Sequence, residues 1–199
     1  MTNAHPLTPA GSKAHTEEVI LVDENDRAIG TETKLAAHRG EGRLHRAFSV
    51  FIVDERGRML LQRRAEGKYH FGGRWTNACC GHPRPSEAVE DAASRRLWEE
   101  MRVSTELDWV ARFTYHAFDE GSQLIENEID HVFLGVLDQA GDMEITPDPL
   151  EASAFRWLTL SEIDAELHED PEAFTPWFPL ALRALREVVP NLGTGGQAR

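Results

Sequence analysis

The sequence predicts an α/β or α+β sandwich, and three observations carry that prediction. Runs of β-branched and aromatic residues recur at Glu18–Val22, Ala47–Val53, Met59–Arg63, Asp108–Phe118, Ile125–Leu137 and Phe155–Thr159, with turn residues between them. One amphipathic helix, from about Glu87 to Met101, interrupts the series near its middle. Two further helices, Leu160–Leu167 and Trp177–Val189, close the chain. Strands interleaved with helices in this order require helices layered on a sheet. The glycine fingerprint of a dinucleotide fold is missing.

With 199 residues, 41% of them hydrophobic, the chain is long enough for one domain with a full core. Residues 1–16 mix Pro, Gly, Ser and His without period and read as a flexible lead-in, residues 17–190 as a single domain, and residues 191–199, with Gly193-Thr194-Gly195-Gly196, as a flexible tail. The net charge of −13 (21 basic against 34 acidic residues) argues against nucleic-acid and anionic-membrane partners. A small anionic substrate stays compatible provided that basic residues gather locally. Two vicinal cysteines make no disulfide framework, and nothing resembles a signal peptide or a membrane span, so a soluble protein of the reducing cytoplasm is expected. Oligomeric state has no signature in the sequence.

In order, Glu18–Val22 is a strand closed by the turn Asp23-Glu24-Asn25-Asp26. Lys34–His45 carries His38 and His45 around a glycine-containing loop. Ala47–Val53, the turn Asp54-Glu55-Arg56-Gly57 and Met59–Arg63 read as a hairpin. Its exit holds Arg63-Arg64 and then Lys68. Such a pair is ordinarily a solvated strand end, but here it leads straight into the central stretch, which favours anion binding. Phe71-Gly72-Gly73-Arg74-Trp75 is a tight turn.

The central stretch, Trp75 to Val103, organises the chain. Cys79 and Cys80 lead into Gly81-His82-Pro83, and a turn follows through Arg84, Pro85 and Ser86. Ser86 is the expected N-cap, and Glu87, Glu90 and Asp91 load the first helical turn with the charge its dipole prefers. Ala88, Ala92 and Leu97, with Val89 and Ala93, form the apolar face. Arg95-Arg96 and Glu99-Glu100 crowd charge into one turn. A thiol, an imidazole and a carboxylate-tipped helix within one segment point to a site.

Asp108–Phe118 ends near Tyr115 and His116, and Ile125–Leu137 begins with an acidic half. Glu126 and Glu128 project from the same face of that strand. Carboxylates so placed repel unless a cation or a shared proton separates them. Trp177 opens the last helix behind Thr175-Pro176 and is by default a core or lid residue.

Gly81, five residues, Glu87, seven residues, Arg95, then Leu97, Glu99, Glu100 and Val103 follow the pattern of the Nudix box. Two positions depart from it: Arg96 stands where the box has Glu, and Arg102 where it has Gly. Nudix hydrolases hold several divalent ions on a diphosphate with that glutamate cluster, and Arg96 puts a cation in place of a ligand, which counts against ordinary hydrolysis. Further stretches closely resemble one branch: Ala36-Ala37-His38, Arg43-Leu44-His45-Arg46-Ala47-Phe48-Ser49, Arg74-Trp75-Thr76-Asn77, Cys80-Gly81-His82-Pro83, Glu126-Asn127-Glu128 and Phe174-Thr175-Pro176-Trp177. They resemble the type I isopentenyl-diphosphate isomerases, which have the Nudix fold but isomerise. The resemblance spans about Glu17 to Leu185 and implies a Nudix-like α/β/α sandwich with a mixed sheet and a central Nudix-type helix.

That resemblance implies interconversion of isopentenyl and dimethylallyl diphosphate through a state close to a tertiary carbocation. Such chemistry needs an acid/base on either side of the alkene, a dry pocket and a π-face. By motif, Cys80 is one acid/base and Glu128 the other. Tyr115 is the partner of Glu128; the adjacent His116 is an alternative, and the Phe113-Thr114-Tyr115 context favours Tyr115. A divalent metal falls to His38, His45, His82, Glu126 and Glu128, a donor set suited to Mn²⁺ or Mg²⁺, with Zn²⁺ a further candidate. Glu100, with Cys80, is placed beside a Mg²⁺ that bridges to the diphosphate. Lys34, Arg64, Lys68 and Arg96 would bind the diphosphate, and Trp177 would turn its ring toward the cation. Two other readings are a Nudix hydrolase of a nucleotide or prenyl diphosphate, and a catalytically silent binding module. The first leaves Cys80 and the histidines without a task; the second predicts losses at acid/base positions, and none is found.

Overall fold

The computed structural model describes residues 17–138 and 144–193, so the lead-in expected over residues 1–16 and the tail beyond residue 193 lie outside the described residues. Strands β1 (Glu18–Val22), β2 (Ala28–Thr33), β3 (His45–Asp54), β4 (Met59–Arg64), β5 (Trp75–Thr76), β6 (Cys79–Gly81), β7 (Leu107–Asp119), β8 (Leu124–Leu137) and β9 (Ala152–Leu158) form one mixed sheet. The helices are α1 (Lys34–Ala37), α2 (Val89–Met101), α3 (Leu160–Glu169) and α4 (Trp177–Val188).

Strand β3 is the hub. It runs parallel to β8, from His45 against Glu128 to Asp54 against Leu137. On its other edge it pairs antiparallel with β6, Ser49 lying against Cys80. Strand β7 lies antiparallel on the far side of β8, with Tyr115 against Glu128. The expected β3–β4 hairpin pairs only at Val53 and Met59. Beyond that point β4 is taken up by β5 and β9 instead.

The two-residue period of the strands divides the core into two layers. Val50 and Ile52 of β3, Leu60 of β4 and Phe133 of β8 pack with Ala92, Ala93, Leu97 and Met101 of α2. Phe51, Val53, Met59, Leu61, Val132 and Leu134 turn the other way, onto Phe178, Ala181, Leu182 and Leu185 of α4. Both faces of β3 are therefore covered, which is why its sequence reads as a nearly continuous apolar run. Truncating a fully buried ring such as Phe133 to alanine should cost about 3–5 kcal/mol.

The structure departs from the sequence reading at several places. Ser86 does not cap α2: it takes a left-handed φ of 67°, and the N-cap is Ala88, with no side-chain hydrogen bond. Glu87 precedes the helix and ties two elements together. Its Oε2 accepts from the Arg84 amide at 2.8 Å, and its two oxygens grip Arg95 at 2.7 and 2.8 Å. Glu90 and Asp91 do occupy the first turn. At the other end Arg102, in the position of the Nudix-box glycine, takes φ 58°. That backbone costs a non-glycine residue about 1 kcal/mol, and the Arg102 guanidinium partly offsets it by donating to the Trp98 carbonyl at 3.1 Å. The sequence predicts no strand at the exposed edge strand β2 or at the short β5 and β6, and no helix at α1. Leu192, assigned to the tail, is buried against the α4 layer. Among the described residues no helix is long and apolar enough to cross a membrane.

Candidate active site

Strand register assembles the site. Because β3 pairs with β6 on one edge and β8 on the other, Cys80 and Glu128 arrive from opposite edges of the same strand. His45 is opposite Glu128 across β3–β8, and Tyr115 is opposite Glu128 across β7–β8. His38 follows α1, and its carbonyl accepts from the Ile125 amide at 2.8 Å, which fixes it beside the start of β8. Between His38 and His45, Gly42 passes so close to β8 that a Cβ there would lie 2.6 Å from Ile125 Cγ2.

The result is a cleft of about 370 Å³. Lys34, Arg64, Lys68, Cys80, His82, Arg96, Tyr115, Glu126, Glu128 and Trp177 all line it. His38 and His45 are wholly buried. Glu100 is likewise set back from the lining and buried, accepting from Arg96 Nη2 at 2.6 Å and from Gln62 Nε2 at 2.9 Å.

At the floor, one ligand atom each from His38, His45, His82, Glu126 and Glu128 lies within 4.8 Å of all the others. His38 Nδ1 donates to the Lys34 carbonyl at 2.6 Å and His45 Nδ1 to the Arg43 carbonyl at 2.7 Å. Those bonds turn each Nε2 lone pair inward. There it meets other acceptors: His38 Nε2 is 3.0 Å from Glu126 Oε2, and His45 Nε2 is 3.2 Å from Glu128 Oε1 and 3.1 Å from His82 Nε2. Burial disfavours a charged His38 ring, yet the Glu126 carboxylate beside it outweighs burial and raises its pKa. Burial drives His82 down to about 3. Burial also opposes ionisation of Glu126, but His70 and His38 hold it well below the usual carboxylate range. Three imidazole nitrogens, two of them with Nδ1 anchored on a backbone carbonyl, and two carboxylates form a donor set that fits a divalent cation.

Above the floor the walls differ. Tyr115 donates to Glu128 Oε2 at 2.5 Å, and burial followed by the Glu128 charge pushes its phenol well above the ordinary value. His116, the alternative, is exposed and lies opposite Asn127. Burial pushes the Cys80 thiol up to about 12 despite Arg64 Nη1 at 3.7 Å, so the sulfur carries its proton near neutrality. Trp177, 3% exposed, packs with Phe71 and Tyr115, and the Arg64 guanidinium lies 5.3 Å from its ring centre.

The rim is cationic but already occupied. Glu151 accepts from Lys68 and, at 3.1 Å, from Arg96. Those two cations overcome burial and hold Glu151 down at about 2. Lys34 Nζ lies 3.7 Å from Glu17 and 5.2 Å from the Tyr69 ring centre, and burial lowers its pKa.

A NUDIX domain matches residues 43–178, which contain α2 and every site residue except Lys34 and His38. The isopentenyl-diphosphate Delta-isomerase of Halorhodospira halophila is 49% identical over 81% of this chain and 91% of its own length. Its counterpart from Streptomyces coelicolor is 45% identical over 96% of this chain and 95% of its own length. The chain belongs to the isopentenyl-diphosphate Delta-isomerase family of NUDIX proteins. Solved structures share the architecture. A Deinococcus radiodurans protein superposes with a TM-score of 0.68 at 23% identity, covering 84% of this chain and 99% of its own. A MutT protein from Methanosarcina mazei gives 0.57 at 21% identity, over 72% of this chain and 94% of its own.

Three residues at the site escaped the sequence reading. His70 is buried with Nε2 2.7 Å from Glu126 Oε1. Glu151 braces the rim, and Gln62 holds Glu100. Only His70 carried any signal, since it lies within the segment joining Lys68 to the tight turn.

Proposed function

We propose that the protein interconverts isopentenyl diphosphate and dimethylallyl diphosphate, adding one proton to the alkene and removing another from a carbon two positions away. The observation that carries this reading is the delivery of Cys80 and the Tyr115–Glu128 pair into one cleft from opposite edges of β3. Proton transfer on both sides of an alkene needs that arrangement, whereas hydrolysis of a diphosphate does not. Cys80 and Glu128 exchange the parts of donor and acceptor between the two directions, so no net proton is consumed. Tyr115 orients the Glu128 carboxylate and shares its proton. Trp177 offers its ring face to the developing positive charge.

The five-residue group would hold Mn²⁺, Zn²⁺ or Mg²⁺ through His38, His45, His82, Glu126 and Glu128. When bound, the cation would balance the two carboxylates and set the proton affinity of Glu128. Lys34, Arg64, Lys68 and Arg96 would bind the diphosphate. Glu100 could serve a Mg²⁺ carried by that diphosphate, beside Cys80, by exchanging Arg96 or Gln62 for the ion. The hydrolase alternative is weakened at this point, because Arg96 replaces a box glutamate and engages Glu99 and Glu100 at 2.8 and 2.6 Å. Two free thiols, one with catalytic work, suit a reducing cytoplasm. The acidic net charge supports a small-molecule partner rather than nucleic acid or an anionic membrane surface.

The test is incubation with isopentenyl diphosphate and Mg²⁺ in D₂O, followed by NMR. Dimethylallyl diphosphate bearing deuterium, without free phosphate, is the expected result. Released phosphate with no new alkene would return the chain to the hydrolases.

A further inference from the structure

His70 is buried between the two chemistries of the cleft, 7% exposed, and the acid/base assignments above give it no task. On one side its Nε2 stands 2.7 Å from Glu126 Oε1. On the other, Arg64 Nη2 reaches both its Nδ1, at 3.3 Å, and its carbonyl, at 3.2 Å. A guanidinium offers protons only, so Nδ1 must present its lone pair to Arg64. The single ring proton then sits on Nε2, the nitrogen in close polar contact with Glu126 Oε1 at 2.7 Å, off the straight hydrogen-bond line.

This tautomer has two consequences. A protonated Nε2 keeps His70 out of any ligand set. It also means that both oxygens of Glu126 meet an imidazole nitrogen, Oε1 that of His70 and Oε2 that of His38 at 3.0 Å. The ring is held in place by Tyr69, Phe71 and Trp177, whose ring centres lie 4.0, 5.5 and 6.2 Å away.

We propose that His70 is a positioning residue that ties the cation-binding carboxylate of Glu126 to the diphosphate-facing guanidinium of Arg64. The inference rests on the assignment of Glu126 as a ligand made above. Partners of this kind orient a ligating side chain, and losing one costs about ten- to hundredfold in metal affinity. His70 also faces the substrate's anionic end through Arg64, so it links the two binding events.

The experiment compares wild type with His70→Phe, His70→Gln and His70→Asn. Chelator-stripped protein is titrated with Mn²⁺, free Mn²⁺ is followed by its EPR signal, and KM and kcat for isopentenyl diphosphate are then measured. Gln can carry an amide N–H as far as Glu126; Asn is too short to reach it. His70→Phe and His70→Asn should weaken Mn²⁺ binding by about ten- to hundredfold, and His70→Gln should restore most of it. KM should stay raised in His70→Gln, because Arg64 has lost its Nδ1 acceptor. Mn²⁺ affinity unchanged in His70→Phe overturns the proposal. So does a Gln variant that binds as weakly as Asn, since the loss then reflects packing rather than a missing donor. Should the Phe variant not fold, the Gln–Asn pair decides by the same criterion. Wild-type protein that binds Mn²⁺ but leaves the alkene unchanged would sink the isomerase reading alone, and the Mn²⁺ comparison would still judge His70.

Discussion

His38 and His45 turn their Nε2 lone pairs toward Glu126 and Glu128 at the floor of the cleft, acceptor against acceptor, whereas Lys68 and Arg96 at its rim already hold Glu151. On the proposed reading, the floor takes its balancing charge from a bound cation. Burying carboxylates without full compensation costs several kcal/mol per ion, so floor stability should depend on a cation. The rim is satisfied without any ligand. If Lys68 and Arg96 bind the diphosphate as proposed, it would compete with Glu151 for the same guanidinium and ammonium groups, and binding there would be an exchange of anions.

The largest effect that could break this contrast is at Glu128, which the account uses both as ligand and as acid/base. Glu128→Gln should lower kcat by roughly 10²–10⁴-fold and weaken Mn²⁺ binding as well; a variant that isomerised normally would separate the floor from the chemistry. Next comes metal removal. At a hundredfold excess over Kd a cation adds about 2.7 kcal/mol, so chelation should lower the melting temperature by roughly 5–10 °C. Calorimetry showing no change would mean that protons alone satisfy the floor. At the rim, Glu151→Gln removes the competing anion, and KM for isopentenyl diphosphate should fall by a few-fold, about 1 kcal/mol, with kcat little changed. A rise in KM would show that Glu151 aligns Lys68 and Arg96 more than it competes with substrate.

The smallest effect lies at the outer edge of the rim, where the Arg95 guanidinium holds Glu87 below the ordinary carboxylate range. A depressed carboxyl pKa stabilises the fold above the unfolded value of about 4.3 and ceases to as pH falls through the folded one. Glu87→Gln should therefore melt roughly 2–4 °C below wild type at pH 7, for about 1 kcal/mol. The gap should close as the pH drops below 4.3. A gap that persists in acid would assign the loss to packing.

What could be read from the sequence follows from range. The apolar run of β3 and the acidic start of β8 announce themselves because burial on both faces and carboxylates on one face leave local patterns. The five-residue group that could hold a metal was legible only through motif resemblance, since its members come from α1's end, β3, the residue after β6, and β8. Strand β2 was not legible: all but one of its residues are exposed, so no alternation marks it. Ser86 misled because a good capping residue three positions before the helix looks like a cap, while the left-handed turn that places it outside has no local signal. The choice between Tyr115 and His116 was a question of register, which only the pairing of β7 with β8 answers. Glu151 and Gln62 act on residues far away in the chain, and nothing near them in sequence points there.

The central claim is that proton transfer is divided between a thiol and a carboxylate carried in from opposite edges of β3. It is tested most directly by Cys80→Ala, assayed by NMR for deuterium incorporation from D₂O into isopentenyl and dimethylallyl diphosphate, with Mn²⁺ affinity measured in parallel. Isomerisation should fall by roughly 10²–10⁴-fold, with cation binding at the floor unchanged. Isomerisation near the wild-type rate in that variant would contradict the central claim.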